Sequence, residues 1–143
     1  MWRKSAPKEP LRIKVLAAVL EKNGRWLIAR RKTGDRFAGL WEFPGGKIKR
    51  GETHQECLAR ELNEEFGIRV RVGRYLGSVR YRSADFAIEL IAYRVSHLTG
   101  RFHLRDHEEI RWVPAARIGR WALTEPDRLL LQKIAPRRAR EER

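Results

Sequence analysis

Cysteine is almost absent from this chain. Cys57 is the only one in 143 residues, which excludes a disulfide scaffold and a cysteine-based zinc site. No apolar run approaches the roughly 18 residues that a membrane-spanning helix needs. The opening MWRKSAPKEP lacks the apolar centre of a signal peptide. These absences predict a soluble cytoplasmic protein with no membrane partner. Acidic residues are also scarce, 18 Asp and Glu against 32 Lys and Arg, for a net charge of +14. A balance this basic favours polyanions such as nucleic acid or nucleotides. The cations are spread along the whole chain with no nucleic-acid recognition motif among them, so an arginine-rich solvated surface is the simpler expectation. Hydrophobic residues make up 42% and aromatics 9%, enough to build the core of one domain.

The pattern divides the chain into a basic arm (residues 1–11), a single domain (12–136) and a charged tail (137–143). Ile13 to Leu20 and Trp26 to Ala29 are apolar and β-prone, and Asn23-Gly24 between them signals a hairpin. Lys32 to Gly39 reads as a polar loop. Leu58, Leu62 and Phe66 recur every four positions and predict a helix over 53–66, which Gly67 stops. Strands are expected over about 70–82, 86–95 and 110–113. A second helix is expected over about 126–135, with Leu129, Leu130 and Ile134 as its apolar face. The irregular alternation predicts an α/β chain of the α+β type, a mixed sheet flanked by helices.

The chemistry is concentrated between Glu42 and Ile68. Glu61, Glu64 and Glu65 share one face of the first helix at i, i+3 and i+4. Like charges at that spacing repel, so they call for bases or a cation. Hard oxygen ligands on one face suit Mg²⁺, with Mn²⁺ as a substitute. The face lies opposite the Leu58/Leu62/Phe66 stripe, so the carboxylates are expected to point away from the core. Arg60 and Glu52 are available as a supporting pair. Before the helix, Phe43-Pro44-Gly45-Gly46 offers a tight loop of bare backbone that can approach a metal or phosphate. On spacing alone, a solvated acidic face and an ordinary turn account for the same residues. Cys57 reads as a small packed side chain.

Gly46, Glu52, Arg60, Glu61, Leu62, Glu64, Glu65, Gly67 and Ile68 fill every fixed position of a pattern that resembles the Nudix box. Leu27 to Arg31, Glu42 to Lys47, Trp112-Val113 and Thr124 to Asp127 resemble its MutT branch, the nucleoside triphosphate pyrophosphohydrolases, so the likeness spans about residues 12–135. It implies the Nudix fold, a mixed sheet between helices with the box as a loop–helix–loop. It also implies Mg²⁺-dependent attack of water on a nucleoside triphosphate, releasing a monophosphate and pyrophosphate. By position, the resemblance makes Glu61 and Glu65 the main metal ligands, with Glu64 and the Gly45 carbonyl beside them. Glu52 and Arg60 hold the helix carboxylates. The later acidic group falls at Asp106, with Glu108 or Glu109 as substitutes and His107 as a poorer rival. Arg31, Phe43, Lys47 and Asp127 fall on the substrate.

Asp127 stands where the best-known 8-oxoguanine cleaner carries Asn. Ionised, it only accepts hydrogen bonds and suits a base edge that offers N–H groups. Its bland alternative is the N-cap of the second helix. Trp41 is a further candidate for stacking. Rival activities are cleavage of coenzyme A, ADP-ribose or an RNA 5′ end, the last helped by the +14 charge. A rival of another class is a non-catalytic module that reads a base, although such modules lose the box glutamates that this chain keeps. A monomer or weak homodimer is expected, with nucleic acid possible as a partner but not favoured.

Overall fold

Leu16 to Leu20 are buried without a break, as expected of a strand covered on both faces. They form the middle of β1 (Arg12–Lys22), which lies parallel to β6 (Ala87–Thr99) along its length, from Arg12↔Ala87 to Leu20↔Val95. A computed structural model describes residues 12–34 and 37–136; the expected arm and tail lie outside the described residues. Asn23 and Gly24 both take positive φ and turn the chain into β2 (Arg25–Arg31), as the sequence predicts. β1 then parts from β2, because β4 (Gly45–Lys47) takes the same edge of β1 at Val15–Ala17. β5 (Arg69–Arg82) pairs β6, β3 (Trp41–Glu42) pairs β2, and β7 (His107–Pro114) covers the other edge of β2. The result is a seven-stranded mixed sheet in the order β3-β2-β1-β6-β5, with β4 on β1 and β7 on β2.

α1 (His54–Phe66) packs Leu58, Leu62 and Phe66 on one face of the sheet against Leu16, Leu20, Leu27 and Ile91. α2 (Glu125–Ile134) packs Leu130 and Leu131 on the other, against Ala17, Trp26, Ile28 and Leu90. Leu131, not Leu129, completes the buried stripe of α2; Leu129 is only half-buried. Thr53 lies just outside α1 as its cap. Its hydroxyl accepts from the Glu56 amide (3.0 Å), and its own amide donates to Glu56 (2.9 Å), so two orphan donors of the first turn are met. Gly67 ends the helix at φ 71°. The short 3₁₀ helix Ala115–Arg120 has no counterpart in the sequence reading. Trp41 is buried edge-on against Trp121, so it packs the core and is not available for stacking. Among the described residues no helix is long and apolar enough to cross a membrane.

Candidate active site

The Gly45-Gly46 pair is strand, not the tight loop that the sequence suggests, and both glycines sit at close approaches, Gly45 to fixed backbone and Gly46 to a side-chain end. A Cβ on Gly45, at φ 148°, would lie 1.9 Å from the Leu16 carbonyl oxygen. A Cβ on Gly46 would lie 2.4 Å from the Glu61 carboxyl carbon. The bare backbone of β4 therefore lets α1 press its acidic face onto the sheet. Cys57 fastens the same contact: it is buried, and its thiol donates to the carbonyls of Gly46 (3.8 Å) and Lys47 (3.6 Å). Burial pushes the thiol up to about 11, and the nearby Glu52 charge adds to the rise.

The three helix glutamates part company here. Glu64 is exposed, Glu61 half-buried, and Glu65 buried at 4% exposure, which corrects the expectation that all three point to solvent. The cover comes from the chain after β6, where His103 and Arg105 donate backbone amides to the carbonyls of Phe66 (2.9 Å) and Glu65 (3.3 Å). Glu65 Oε1 accepts from the Gly45 amide (3.2 Å), while Oε2 is buried without a hydrogen bond. Burial drives this carboxyl well above its usual range, and the charges of Glu42, Glu61 and Asp106 raise it further.

Arg60 gathers the remaining acids. Its guanidinium donates to both oxygens of Glu52 (2.6 and 2.9 Å), to Glu61 (2.8 Å), to Glu64 (3.3 Å) and to the Lys47 carbonyl (3.1 Å). The Arg60 hydrogen bond holds Glu52 down at about 2. Of the later acids, only Asp106 lines the cleft with Glu61 and Glu65. Glu108 turns away to the Thr33 amide (2.8 Å), which lowers its pKa, and to Arg30 (3.3 Å). Glu109 pairs with Arg30 and Arg111. Lys32 and Arg105 also line this cleft; neither stands out in the sequence.

An adjoining cavity of about 280 Å³ shares Arg31, Glu42 and Gly45 with the acidic cleft, near the low end of small-molecule sites at roughly 300–1,000 Å³. Phe37, Phe43, Phe86, Lys47 and Asp127 line it. Asp127 is buried and is not the N-cap of α2; Thr124 is, accepting from the Asp127 amide (3.3 Å). The Asp127 carboxylate instead accepts from the Phe43 amide (3.1 Å) and the Thr124 hydroxyl. It thereby ties α2 to the segment ahead of the box. Burial lifts it to about 7, with the Glu42 charge adding to the rise, so the group is not the simple acceptor that its residue type suggests.

Neither Glu42 as a cleft residue nor its contact with His107 is apparent from the sequence. Glu42 joins the two clefts, bonded to Arg31 (2.7 Å) and to His107 Nε2 (2.8 Å). The adjacency of Glu42 to Phe43 was the available signal; the partner 65 residues away was not visible.

The donor set suits a hard dication: four carboxylates (Glu42, Glu61, Glu65, Asp106) border one cleft, and a buried oxygen of Glu65 lacks a partner. Among the described residues no three acidic, histidine or cysteine side chains stand close enough to hold an ion as they are. Arg60 takes Glu61 and Glu64 as a counter-ion would, and Arg31 takes Glu42.

A mixed sheet between helices thus carries a carboxylate cleft beside an aromatic one, room for a cation next to room for a planar ligand. The chain belongs to the Nudix family, whose NUDIX domain model matches residues 10–134. It is 35% identical over 127 residues to the CTP pyrophosphohydrolase of Escherichia coli, covering 89% of this chain and 94% of that one. It is 32% identical over 102 residues to an 8-oxo-dGTP diphosphatase of Haemophilus influenzae, covering 71% and 75%. The crystal structure of a MutT protein from Methanosarcina mazei superposes with a TM-score of 0.79 at 27% identity, covering 95% and 98%. The chain is thus a Nudix pyrophosphohydrolase of the MutT-like branch.

Proposed function

We propose that this enzyme cleaves a nucleoside triphosphate to the monophosphate and pyrophosphate with Mg²⁺ or Mn²⁺, and that it cleans the cytoplasmic nucleotide pool ahead of DNA synthesis. The observation that carries the reading is the union of the two clefts at Arg31, Glu42 and Gly45. One cleft offers carboxylates for a cation, the other aromatic walls and a buried carboxyl for a base. Glu61, Glu65 and the Gly45 carbonyl, with the exposed Glu64 beside them, would hold the cation, which would supply charge neutralisation at the phosphates and a more acidic water. Arg60, locked by Glu52, keeps the box carboxylates aimed at the cleft. Asp106 accepts the proton of the attacking water. The α–β anhydride bond then breaks and pyrophosphate leaves. Arg31 and Lys47 attract the phosphates, and the basic surface steers the anion inward.

The base lies between Phe43 and its aromatic neighbours, with Asp127 and Glu42 on its polar edge. The Glu42 carboxylate favours a base edge with N–H donors, and Asp127, able to donate as well as accept when protonated, adds a second polar contact; 8-oxo-dGTP meets that need. The likeness to a CTP pyrophosphohydrolase over 94% of its length supports a second reading, in which the exocyclic amine of cytosine is the group bound. A Mg²⁺ hydrolysis panel of CTP, UTP, dGTP, 8-oxo-dGTP, ADP-ribose, coenzyme A and 5′-triphosphorylated RNA separates these readings. Pyrophosphate and monophosphate from one triphosphate, at a kcat/KM far above that of its sibling, are expected. Fast RNA turnover with slow action on every free nucleotide would overturn the proposal.

A further inference from the structure

His107 sits where the two clefts meet, buried at 4% exposure. Its Nε2 donates to Glu42 Oε2 at 2.8 Å, and its Nδ1 faces Glu65 Oε2 at 3.7 Å. Those two facing atoms, His107 Nδ1 and Glu65 Oε2, are both buried without a hydrogen-bond partner. A fold rarely keeps such a pair without a use for it. The ring is held flat against Phe66, 5.6 Å between centroids and 18° between planes, so it cannot swing to favour one carboxylate.

Its aim is set by a break in strand register. β7 pairs β2 with Arg30 opposite Glu109 but Arg31 opposite His107, leaving Glu108 as the extra residue. Bulges of this kind re-aim side chains beside functional sites. Here the bulge turns Glu108 outward to Arg30 and Thr33 and His107 inward between two acids. On one side of the imidazole lies the Glu42 carboxylate, which also holds Arg31. Its neighbour Phe43 donates its amide to Asp127. On the other side lies Glu65, one of the carboxylates of the acidic cleft.

We propose that His107 is a positioning residue that couples base recognition to turnover. It transmits the placement of Glu42 against a bound base to the placement of the Glu65 carboxylate, so that base preference is expressed in kcat more than in binding. The proposal rests on the reading of Glu42 and Glu65 given above. Base contacts with Glu42 that pull it from His107 release Glu65. Contacts that leave Glu42 against His107 hold Glu65 in its cleft.

The test compares wild type, His107→Phe, His107→Gln and Glu42→Gln on two nucleotide pairs, CTP against UTP and 8-oxo-dGTP against dGTP. His107→Phe keeps a ring against Phe66 but has no polar atom. His107→Gln keeps a donor for Glu42 without a second nitrogen for Glu65, and is read in the same way if the Phe variant does not fold. Second-sphere losses run roughly 10–100-fold. In the pair that wild type discriminates more strongly, kcat on the preferred nucleotide is expected to fall by about tenfold or more. The sibling loses much less, so the preference narrows. Affinity for the α,β-methylene analogue of the preferred nucleotide stays within about twofold, whereas Mn²⁺ affinity of the nucleotide-free protein, read by titration calorimetry, falls by about tenfold. Equal losses on both nucleotides, or a loss confined to KM, would overturn the proposal. Glu42→Gln separates the layers: if it keeps wild-type base preference, the reading of Glu42 fails and the coupling with it. If it loses that preference while both His107 variants keep it, only the coupling fails.

Discussion

Asp127 is a buried acid whose protonation the fold itself controls, and replacing it with asparagine exposes that control. Its carboxyl is lifted from 3.8 to about 7 by burial, helped by the charge of Glu42. A raised pKa means that the folded state binds the proton more tightly than the unfolded chain. The associated stability is therefore fully present below about pH 4 and is lost progressively as the pH climbs to about 7 and beyond. At roughly 1.4 kcal/mol per pH unit, the loss reaches an upper bound of about 4 kcal/mol. The asparagine of Asp127→Asn cannot ionise. Its carbonyl still accepts from the Phe43 amide, and its amide can donate to Thr124, so the tie between α2 and the segment before the box survives. Urea unfolding followed by tryptophan fluorescence at pH 4, 5, 7 and 8.5 should show the two proteins within about 1 kcal/mol at pH 4, with Asp127→Asn gaining through pH 5 and 7 and the difference levelling off by pH 8.5. Glu65, also lifted, tilts both curves alike, so their difference isolates Asp127. Parallel curves across the whole range would refute the reasoning. The same titration should move base preference near pH 7 in wild type and leave it flat in the variant.

Gly46→Ala should fold normally but lose activity by about 100-fold, because the new Cβ displaces only the flexible end of Glu61, 2.4 Å away, and small misplacements at a reacting centre are costly; full activity with an unchanged melting temperature would contradict the packing argument. Gly45→Ala meets backbone instead, the Leu16 carbonyl at 1.9 Å, so a lowered melting temperature and poor soluble yield are expected. Glu61→Gln and Glu65→Gln should weaken Mn²⁺ binding and abolish hydrolysis, checked by calorimetry and pyrophosphate release; unchanged turnover would sink the cation site. Thr53→Ala removes the α1 cap and should cost about 1 kcal/mol in urea unfolding with base preference unchanged.

The helix of the box was legible because its signals are local: a four-residue apolar stripe and a stopping glycine. The Asn23-Gly24 hairpin was legible for the same reason. The burial of Glu65 was not, because its cover is the segment around His103 to His107, two long strands further along the chain. The contact between Glu42 and His107 was not legible because it depends on a strand bulge, and one residue of register decides whether position 107 or 108 faces inward. The α2 cap falls on Thr124 and not on Asp127, the cap candidate by residue type, because Asp127 is buried with its carboxyl on the Phe43 amide. Strands β3 and β4, of two and three residues, are too short for any period to show.

The thiol of Cys57 gives this protein a built-in clock. Sealed between α1 and β4 and pushed up to about 11, it is neither exposed nor ionised in the closed state, so alkylating reagents reach it only when the helix lifts from the strand. The trapping rate then measures how often that seam opens, without a label and in the presence of any nucleotide. Whatever tightens the acidic face of α1 against Gly46 should slow the clock, and the slowing reports occupancy of the cleft even in variants that no longer turn over.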